Sequence, residues 1–351
     1  MARAGFSPNF PGVRIQTVTV ESFPALGEEW RALEATLPGL NFFQSWSWVG
    51  CLAQERFPDP VLLRAEAGGA TVGLALFNRH RGRLCLTETG EPALDAPFIE
   101  HNAPLCADAE IAAALLRAAW VQTRRLVLSG VTPALLEGAG GIPWRCQERQ
   151  APFIDLDALR ASGADYLATR SANTRQQIRR SDRFYAGLEL HAAADATEAL
   201  TFFEAMLTLH ARTWHGRGVP GAFDTDFMRR FHRALIATAA PRGEVEMLRL
   251  RADAGDIGYL YNFRLNRRLH AYQSGLDHAG AGAQGKPGLS IHTQAVRRAL
   301  AAGDAIYDFM AGPDRYKRSL AGESRPLLWA ELVRPWSASG MMARLHRCFR
   351  G

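Results

Sequence analysis

A mixed α/β (α+β) fold made of two similar halves is predicted from three observations. The order strand, helix, helix, hairpin, helix, strand is read twice along the chain, as repetition of pattern and not of sequence. Antiparallel hairpins are mixed with a single late β–α–β unit, which argues against a doubly wound parallel sheet. The length of 351 residues, 47% hydrophobic and 22% charged, suits two domains of ~100–200 residues each. The boundary is expected near residues 157–165, giving domains 1–160 and 161–351.

In the first half VRIQTVTV (13–20) alternates and reads as a strand. Leu26, Trp30, Leu33 and Leu37 recur at helical spacing over 24–37. FFQSWSWVGCLAQERF (42–57) reads as a helix with an aromatic face. Residues 60–80 form strand, Gly-Gly turn, strand, a hairpin signature. GRLCLTETG adds a strand, 109–123 a helix, RRLVLSG a short strand, 138–143 a loop and 144–157 a further strand. The second half opens with a basic helix, 165–188, and the strand LELHAA. Long helices follow over 196–218 and 224–240, the latter with Asp224 as the expected N-cap. Residues 244–277 hold three strands joined by tight turns. A helix over 286–304 has Pro287 near its start and Gly303 past its end, the expected asymmetry. AIYDFMAG and RPLLWAELVRPW (325–336) are the last strands.

The formal net charge is +6, and nearly all the positive charge is arginine. The two lysines are Lys286 and Lys317. Guanidinium groups make forked contacts, so phosphates and carboxylates are the favoured partners. The five cysteines are widely spaced without a C-x-x-C, which argues against a disulfide framework or a zinc ribbon. They are expected to be small apolar filler in a reducing compartment. No apolar run approaches the ~20 residues that span a bilayer. MARAGFSPNFPGVR has no apolar signal core, so a cytoplasmic protein is expected.

GAGAQG (280–285) matches G-x-G-x-x-G, but only about 40 residues follow the one β–α–β unit, too few for a dinucleotide fold. The better reading is the loop GKPGLS (285–290) feeding a helix N-terminus, where backbone N–H groups and the dipole favour a pyrophosphate. The bland alternative is a flexible hairpin tip.

LHAYQSGLD, GKPGLSIHTQAVRRALAAGDAIYDFMAGPDRYKRSL, FFQSWSWVGCL, SANTRQQIRRSDRFYAGLEL and LHARTWHGRG together resemble the CelD-like acyltransferases, a branch of the GNAT superfamily related to the Fem-type peptidyltransferases. The resemblance covers about 40 to 335. It implies tandem GNAT-like domains, each a mixed, splayed central sheet flanked by helices. The first domain would lack a complete cofactor site and shape the acceptor cleft. Acetyl-CoA or another acyl-CoA would lie in a wedge between two parallel strands, 269–276 and 304–310. The resemblance places Tyr272, Ser274, Gly275, Gly285, Lys286, Gly288, Leu289 and Ser290 at that cofactor. The usual loop motif is only partly kept: Gly288 is present, the first position is Gly285, and Ser290 replaces a smaller residue. Fem-type relatives also depart from the loop and use aminoacyl-tRNA.

Acyl transfer from a thioester needs deprotonation of the acceptor, donors for the oxyanion and a proton for the leaving thiolate. By the resemblance Tyr316 is the acid. Asp308, at a strand end, reads as a base or a structural cap. Lys317 is a candidate for phosphate or carboxylate, Asp277 for the acceptor, and each also reads as ordinary surface. His210 and Trp214 share a helix face and are acceptor candidates, though a lone histidine there is more often core. Arg175, Arg179 and Arg183 fall at steps of four, a stripe that is a solvated face or a contact for an anionic acceptor, CoA or tRNA. No histidine pair has metal spacing, and no G-x-S-x-G elbow occurs, so neither a metal site nor a hydrolase triad is expected. An N-acyltransferase acting on an amine or hydroxyl of a small molecule or cell-envelope precursor is therefore expected. A tRNA-dependent transferase and a noncatalytic accessory protein of envelope polysaccharide production are the alternatives.

Overall fold

The computed structural model describes residues 12–95, 99–312 and 314–335. The segment 1–11 read for a signal, Cys348 and Trp336 lie outside the described residues. In chain order the elements are β1 (Val13–Val18), α1 (Phe23–Glu34), α2 (Trp46–Val49), α3 (Ala53–Arg56), β2 (Pro60–Ala67), β3 (Ala70–His80), β4 (Arg83–Leu86), β5 (Leu105–Cys106), α4 (Ala109–Ala118), β6 (Arg125–Val131), α5 (Pro133–Gly138) and β7 (Ile142–Asp155). They continue with α6 (Leu156–Ser162), α7 (Ala172–Phe184), β8 (Glu189–Ala192), α8 (Ala196–His215), α9 (Asp226–Ala239), β9 (Val245–Ala252), β10 (Gly255–Leu265), β11 (Arg268–Leu276), α10 (Pro287–Ala301), β12 (Ile306–Asp308), α11 (Arg315–Leu320) and β13 (Glu323–Val333). No helix among the described residues is long and apolar enough to cross a membrane.

Two compact units result: residues up to Arg149 with those from Pro326 onward, and Gln150–Arg325. The division expected from sequence, 160/161, is corrected by strand pairing. In the first unit the order is β1-β2-β3-β4-β6-β13, and in the second β8-β9-β10-β11-β12-β7. In each, four antiparallel strands lead to one parallel pair, β4 with β6 or β11 with β12, and an antiparallel sixth strand follows. The sixth strand of the first unit comes from a separate, later run of chain, and that of the second unit is the first strand of its own run. Phe153–Asp155 pairs with β12, and Leu328–Val333 pairs with β6. A boundary drawn by element order cannot see that pairing.

Each unit has its own core. Leu63, Phe77, Leu84, Leu115 and Leu126 are buried in the first, and Leu248, Leu260, Ile291, Val296 and Tyr307 in the second. Residues 42–57 do not make one helix. Asn41 and Gln44 form a capping box on a 3-10 turn, and Leu52 takes a left-handed φ of 49°, so α2 and α3 are single turns. α9 is capped by Thr225, whose side chain accepts from the Met228 N–H, and not by Asp224. α7 begins only at Ala172, after the Ser171 cap. Its Thr174, Ile178 and Ser181 are buried at helical spacing, and the arginines occupy the other faces.

Cys51 and Cys85 are buried, and burial pushes both thiols up to about 12, which keeps them protonated filler. Cys106 is half-buried and Cys146 exposed.

Candidate functional site

The second unit holds the candidate active site, and its parallel strand pair is the starting point. β11 and β12 pair over three residues only: Arg268 with Ile306, Leu269 with Tyr307, His270 with Asp308. β11 then continues to Leu276 against β10, with Tyr272 as an extra bulged residue between Ala271 and Gln273. A bulge bends its strand and increases local twist. The ladder joining β11 to β12 stops at this bend.

The β11 residues expected at the cofactor serve the packing of α8 and α9. Tyr272 is buried, its ring 4.3 Å from Phe263 and 5.5 Å from His232. The Ser274 carbonyl accepts from His210 Nδ1 at 3.1 Å, and His210 Nε2 accepts from the Ala222 N–H at 3.2 Å. Both ring nitrogens are thus engaged, which fixes one neutral tautomer, and burial lowers the His210 pKa further. His210 is a structural tie between α8, β11 and the loop before α9. Gly275 is required by close approach, since a Cβ there would lie 2.3 Å from the Met206 carbonyl oxygen. Trp214 lies beside His210 on α8, with the Arg217 guanidinium 5.2 Å from its ring.

Gly285, Lys286, Gly288, Leu289 and Ser290 do come together at the start of α10. That helix end is already engaged. The Lys286 N–H donates to Ser181 Oγ at 2.9 Å, Pro287 has no N–H, and Ser181 Oγ lies 2.8 Å from Ser290 Oγ. Ser290 Oγ donates to Asp182 Oδ1 at 2.7 Å. The carboxylate is partly buried, and that burial raises its pKa against the opposing Ser290 hydrogen bond. A hydroxyl and an acid from α7 therefore stand where an anion would meet the α10 dipole. The exposed Lys286 and the buried Leu289 both line a neighbouring cleft.

That cleft has a volume of about 720 Å³ and is formed by the start of α7, the first turn of α10, and α11. Tyr316 lines it. The tyrosine ring is stacked on His292 at 5.6 Å and 30°. His292 is fixed in turn by Tyr307, with 2.9 Å between Nδ1 and the phenol oxygen. Burial, with Lys317 adding to it, pushes His292 down to about 3, so it is neutral near pH 7. Burial raises the Tyr316 pKa, and the Asp314 charge raises it further, so the phenol keeps its proton and is a donor.

The remaining expected residues lie outside the cleft. Asp308 is buried and its Oδ1 accepts from the Met310 N–H at 2.8 Å, capping a left-handed Met310. The cation affected by Asp308 is Arg268. This is the strand-end cap, not a base exposed to a substrate. Lys317 is 14% exposed and its ammonium is 3.4 Å from the carbonyl oxygens of both Met310 and Ala311 and 3.8 Å from Asp314. It clamps the turn between β12 and α11. Arg175 donates to the Arg170 carbonyl at 2.5 Å, Arg179 is exposed, and Asp277 accepts from the Gly280 N–H at 3.1 Å. None of them lines the cleft.

Sequence reasoning missed Arg170, Asn173, His292 and Arg318, and weighed Arg315 only as a residue that Asp308 could orient. Two of these flank Tyr316 in DRYKRSL, and on a short helix residues one before and two after it were a usable signal.

Comparison with known proteins bears on this geometry. The model of the acetyltransferase (GNAT) domain family matches residues 168–318, which contain the diverging strands, α10 and Tyr316. FemX is similar in structure over 94% of this chain and 99% of its own, with a TM-score of 0.59 at 10% identity. The C-terminal domain of a putative lysylphosphatidylglycerol synthetase from Agrobacterium fabrum is similar over 92% and 97%, with a TM-score of 0.56 at 13% identity. A conserved protein of unknown function from Bacteroides thetaiotaomicron is similar over 91% and 99%, with a TM-score of 0.53 at 10% identity. No curated protein matches the sequence. Residues 168–318 thus match a GNAT domain, the chain as a whole shares its mixed α/β fold with FemX and the synthetase domain, and the domain match supports acyl transfer as the class of chemistry.

Proposed function

We propose that the chain transfers an acyl group from acyl-CoA, acetyl-CoA being the simplest donor, to an amine or hydroxyl by direct attack. The chemistry is assigned to the second unit, and the first is a GNAT-like domain without a working donor site. The observation that carries this reading is Tyr316. It is a protonated phenol held by His292 at the wall of an open cleft, on the helix after the diverging strand pair. The acceptor nitrogen or oxygen attacks the thioester carbonyl, the C–S bond breaks, and the proton lost by the acceptor passes to solvent, from which the thiolate is protonated. The Tyr316 O–H donates a hydrogen bond to the departing thiolate, which stabilises charge where it develops. A small molecule or a cell-envelope precursor is the expected acceptor, and the cytoplasm the expected compartment.

A second reading, transfer from aminoacyl-tRNA as in Fem-type relatives, is favoured by one observation. Ser181 and Asp182 occupy the α10 end at which a CoA pyrophosphate would be held.

Acetyl-CoA turnover with a panel of amine acceptors, followed by thiol release, tests the role of Tyr316. Tyr316→Phe is expected to lower kcat by about tenfold to a hundredfold with KM for the donor little changed. An unchanged kcat at saturating substrates sinks the acid role.

A further inference from the structure

The cleft beside Tyr316 has a charge pattern that neither the GNAT match nor the α10 loop accounts for. Four cations line it, Arg170, Lys286, Arg315 and Arg318, and no carboxylate does. Lys286, Arg315 and Arg318 are exposed and have no ion-pair partner among the described residues. Arg170 is fixed differently. Its Nη1 donates to the carbonyls of Leu320 (2.9 Å) and Ala321, its Nε and Nη2 reach Thr169 Oγ1, and its guanidinium lies 5.4 Å from the Tyr166 ring. Burial lowers the Arg170 pKa, a sign that it is held in partly dry surroundings without a counter-charge. Asn173 and the hydroxyls of the α7 entrance add neutral donors.

Four cations without an acid repel one another, an arrangement favoured when an anion is present. Guanidinium forks fit phosphate oxygens two at a time, which a compact ammonium does not. The volume is within the ~300–1,000 Å³ of pockets that hold small organic ligands, well beyond a bare ion. We infer that this cleft binds an organic phosphate ester through the side chains of Arg170, Arg315, Arg318 and Lys286, beside α11 and the entrance of α7, and not on the engaged backbone N–H groups at the start of α10. The inference deepens the proposed acyl transfer and rests on that reading only in naming the ligand as the donor. The phosphate chemistry is shared by a nucleotide-type thioester carrier and by the 3′ end of an RNA.

Isothermal titration of the full chain with coenzyme A, dephospho-coenzyme A and a 5′-phosphorylated CCA trinucleotide, at about 50 and about 300 mM salt, tests it. At least one of these ligands is expected to bind, more weakly at high salt. The double variant R315E/R318E should weaken that binding by at least about tenfold, as charge reversal at two phosphate contacts requires. Both side chains are exposed, so a thermal melt matching wild type verifies the fold. Stronger binding of coenzyme A identifies the thioester carrier, and stronger binding of CCA identifies the RNA end. The assignment is overturned if wild type binds none of the three, or if the double variant binds as wild type does. It is overturned also if Asp182→Asn tightens binding while the arginine changes are neutral, since the anion would then sit on α10. Tyr316→Phe should bind these ligands as wild type does, so a failure of the acid role and a failure of the cleft are read separately.

Discussion

The two units make the same parallel strand pair and finish it differently. In the first, β4 and β6 pair at Leu84 with Leu126 and Cys85 with Val127, and then separate. Asn102 fills the gap. Its backbone N–H donates to the Gly130 carbonyl of β6 at 3.1 Å, and its side-chain amide donates to the Leu86 carbonyl of β4 at 3.0 Å. Thr87 Oγ1 donates to its side-chain oxygen at 2.8 Å. Asn102 and Thr87 are both buried. The polar groups a wedge ligand would need are thus satisfied by the chain itself. In the second unit the strand ends after the pairing are held by local caps, with Asp308 on Met310, and an open cleft lies beside α11. A splayed parallel pair is therefore not in itself a ligand site. What decides is whether a neighbouring segment completes its hydrogen bonds.

The largest effect is expected from disturbing the plug. Gly130 has φ +66°, and a Cβ there would lie 2.4 Å from the Ile99 carbonyl oxygen. Gly130→Ala should destabilise the first unit by about 3 kcal/mol, combining left-handed strain of ~1–2 kcal/mol with overpacking of ~1–3 kcal/mol. Asn102→Leu keeps the backbone bond to Gly130 but takes the side-chain partner from the Leu86 carbonyl and the buried Thr87 hydroxyl, and should cost about 2–4 kcal/mol. Chemical denaturation followed by tryptophan fluorescence measures both. If either variant melts as wild type does, Asn102 is a passenger, and the contrast between the units fails at its root.

A smaller effect separates the segments that follow the first strand of each pair. After β4, Glu88 is buried; burial pushes it up to about 8, with the Asp95 charge adding and Ser129 and Arg56 opposing. After β11, Asp277 is half-buried and merely caps its own loop. Glu88 starts near 4.5 when unfolded, so folding takes up a proton between about 4.5 and about 8. The stability of the first unit should fall as pH rises through that window and level off above it. Glu88→Gln should raise Tm at pH 8 by a few degrees, the effect of about 1–2 kcal/mol, and leave it nearly unchanged at pH 5. Equal gains at both pH values would mean that Glu88 is not held neutral.

Much of this architecture was legible in the sequence because strand and helix periods report burial directly. The alternation in 13–20, the Gly-Gly hairpin and the Pro287-to-Gly303 helix all lie where expected. The sixth strand of each unit was read as a strand, but its pairing was not legible, since its partner is distant in the chain. For the same reason the engaged α10 end was missed: Ser181 and Lys286 are 105 positions apart, and only the packing of α7 on α10 brings them together. His210 and Tyr272 looked available for ligands because their residue types suit ligands, whereas burial committed them to the core. The cleft was legible only in part: Lys286 and Tyr316 stood in stretches already singled out, whereas Arg170 comes from the entrance of α7, more than 100 positions earlier, and only the fold brings it beside them.

The smallest predicted change concerns the exits of the second parallel strands and the pairing of Tyr316 with Lys317. After β6 the chain enters α5 directly, with Thr132 Oγ1 accepting from the Leu135 N–H at 3.3 Å. After β12 it makes a turn of its own, and the Lys317 ammonium holds that turn through the Met310 and Ala311 carbonyls. The contacts at 3.4 Å are long, and each contributes weakly. Lys317→Met keeps the stem that packs in the turn and removes the charge, at a cost of about 1 kcal/mol. Removing the ammonium also removes the charge that depresses His292, whose burial still keeps it neutral. Tyr316 should therefore keep its stacking, and kcat should fall less than in Tyr316→Phe, by about threefold or less. A loss as large as that of Tyr316→Phe, at unchanged Tm, would make Lys317 a participant in the chemistry and not the clamp on its turn.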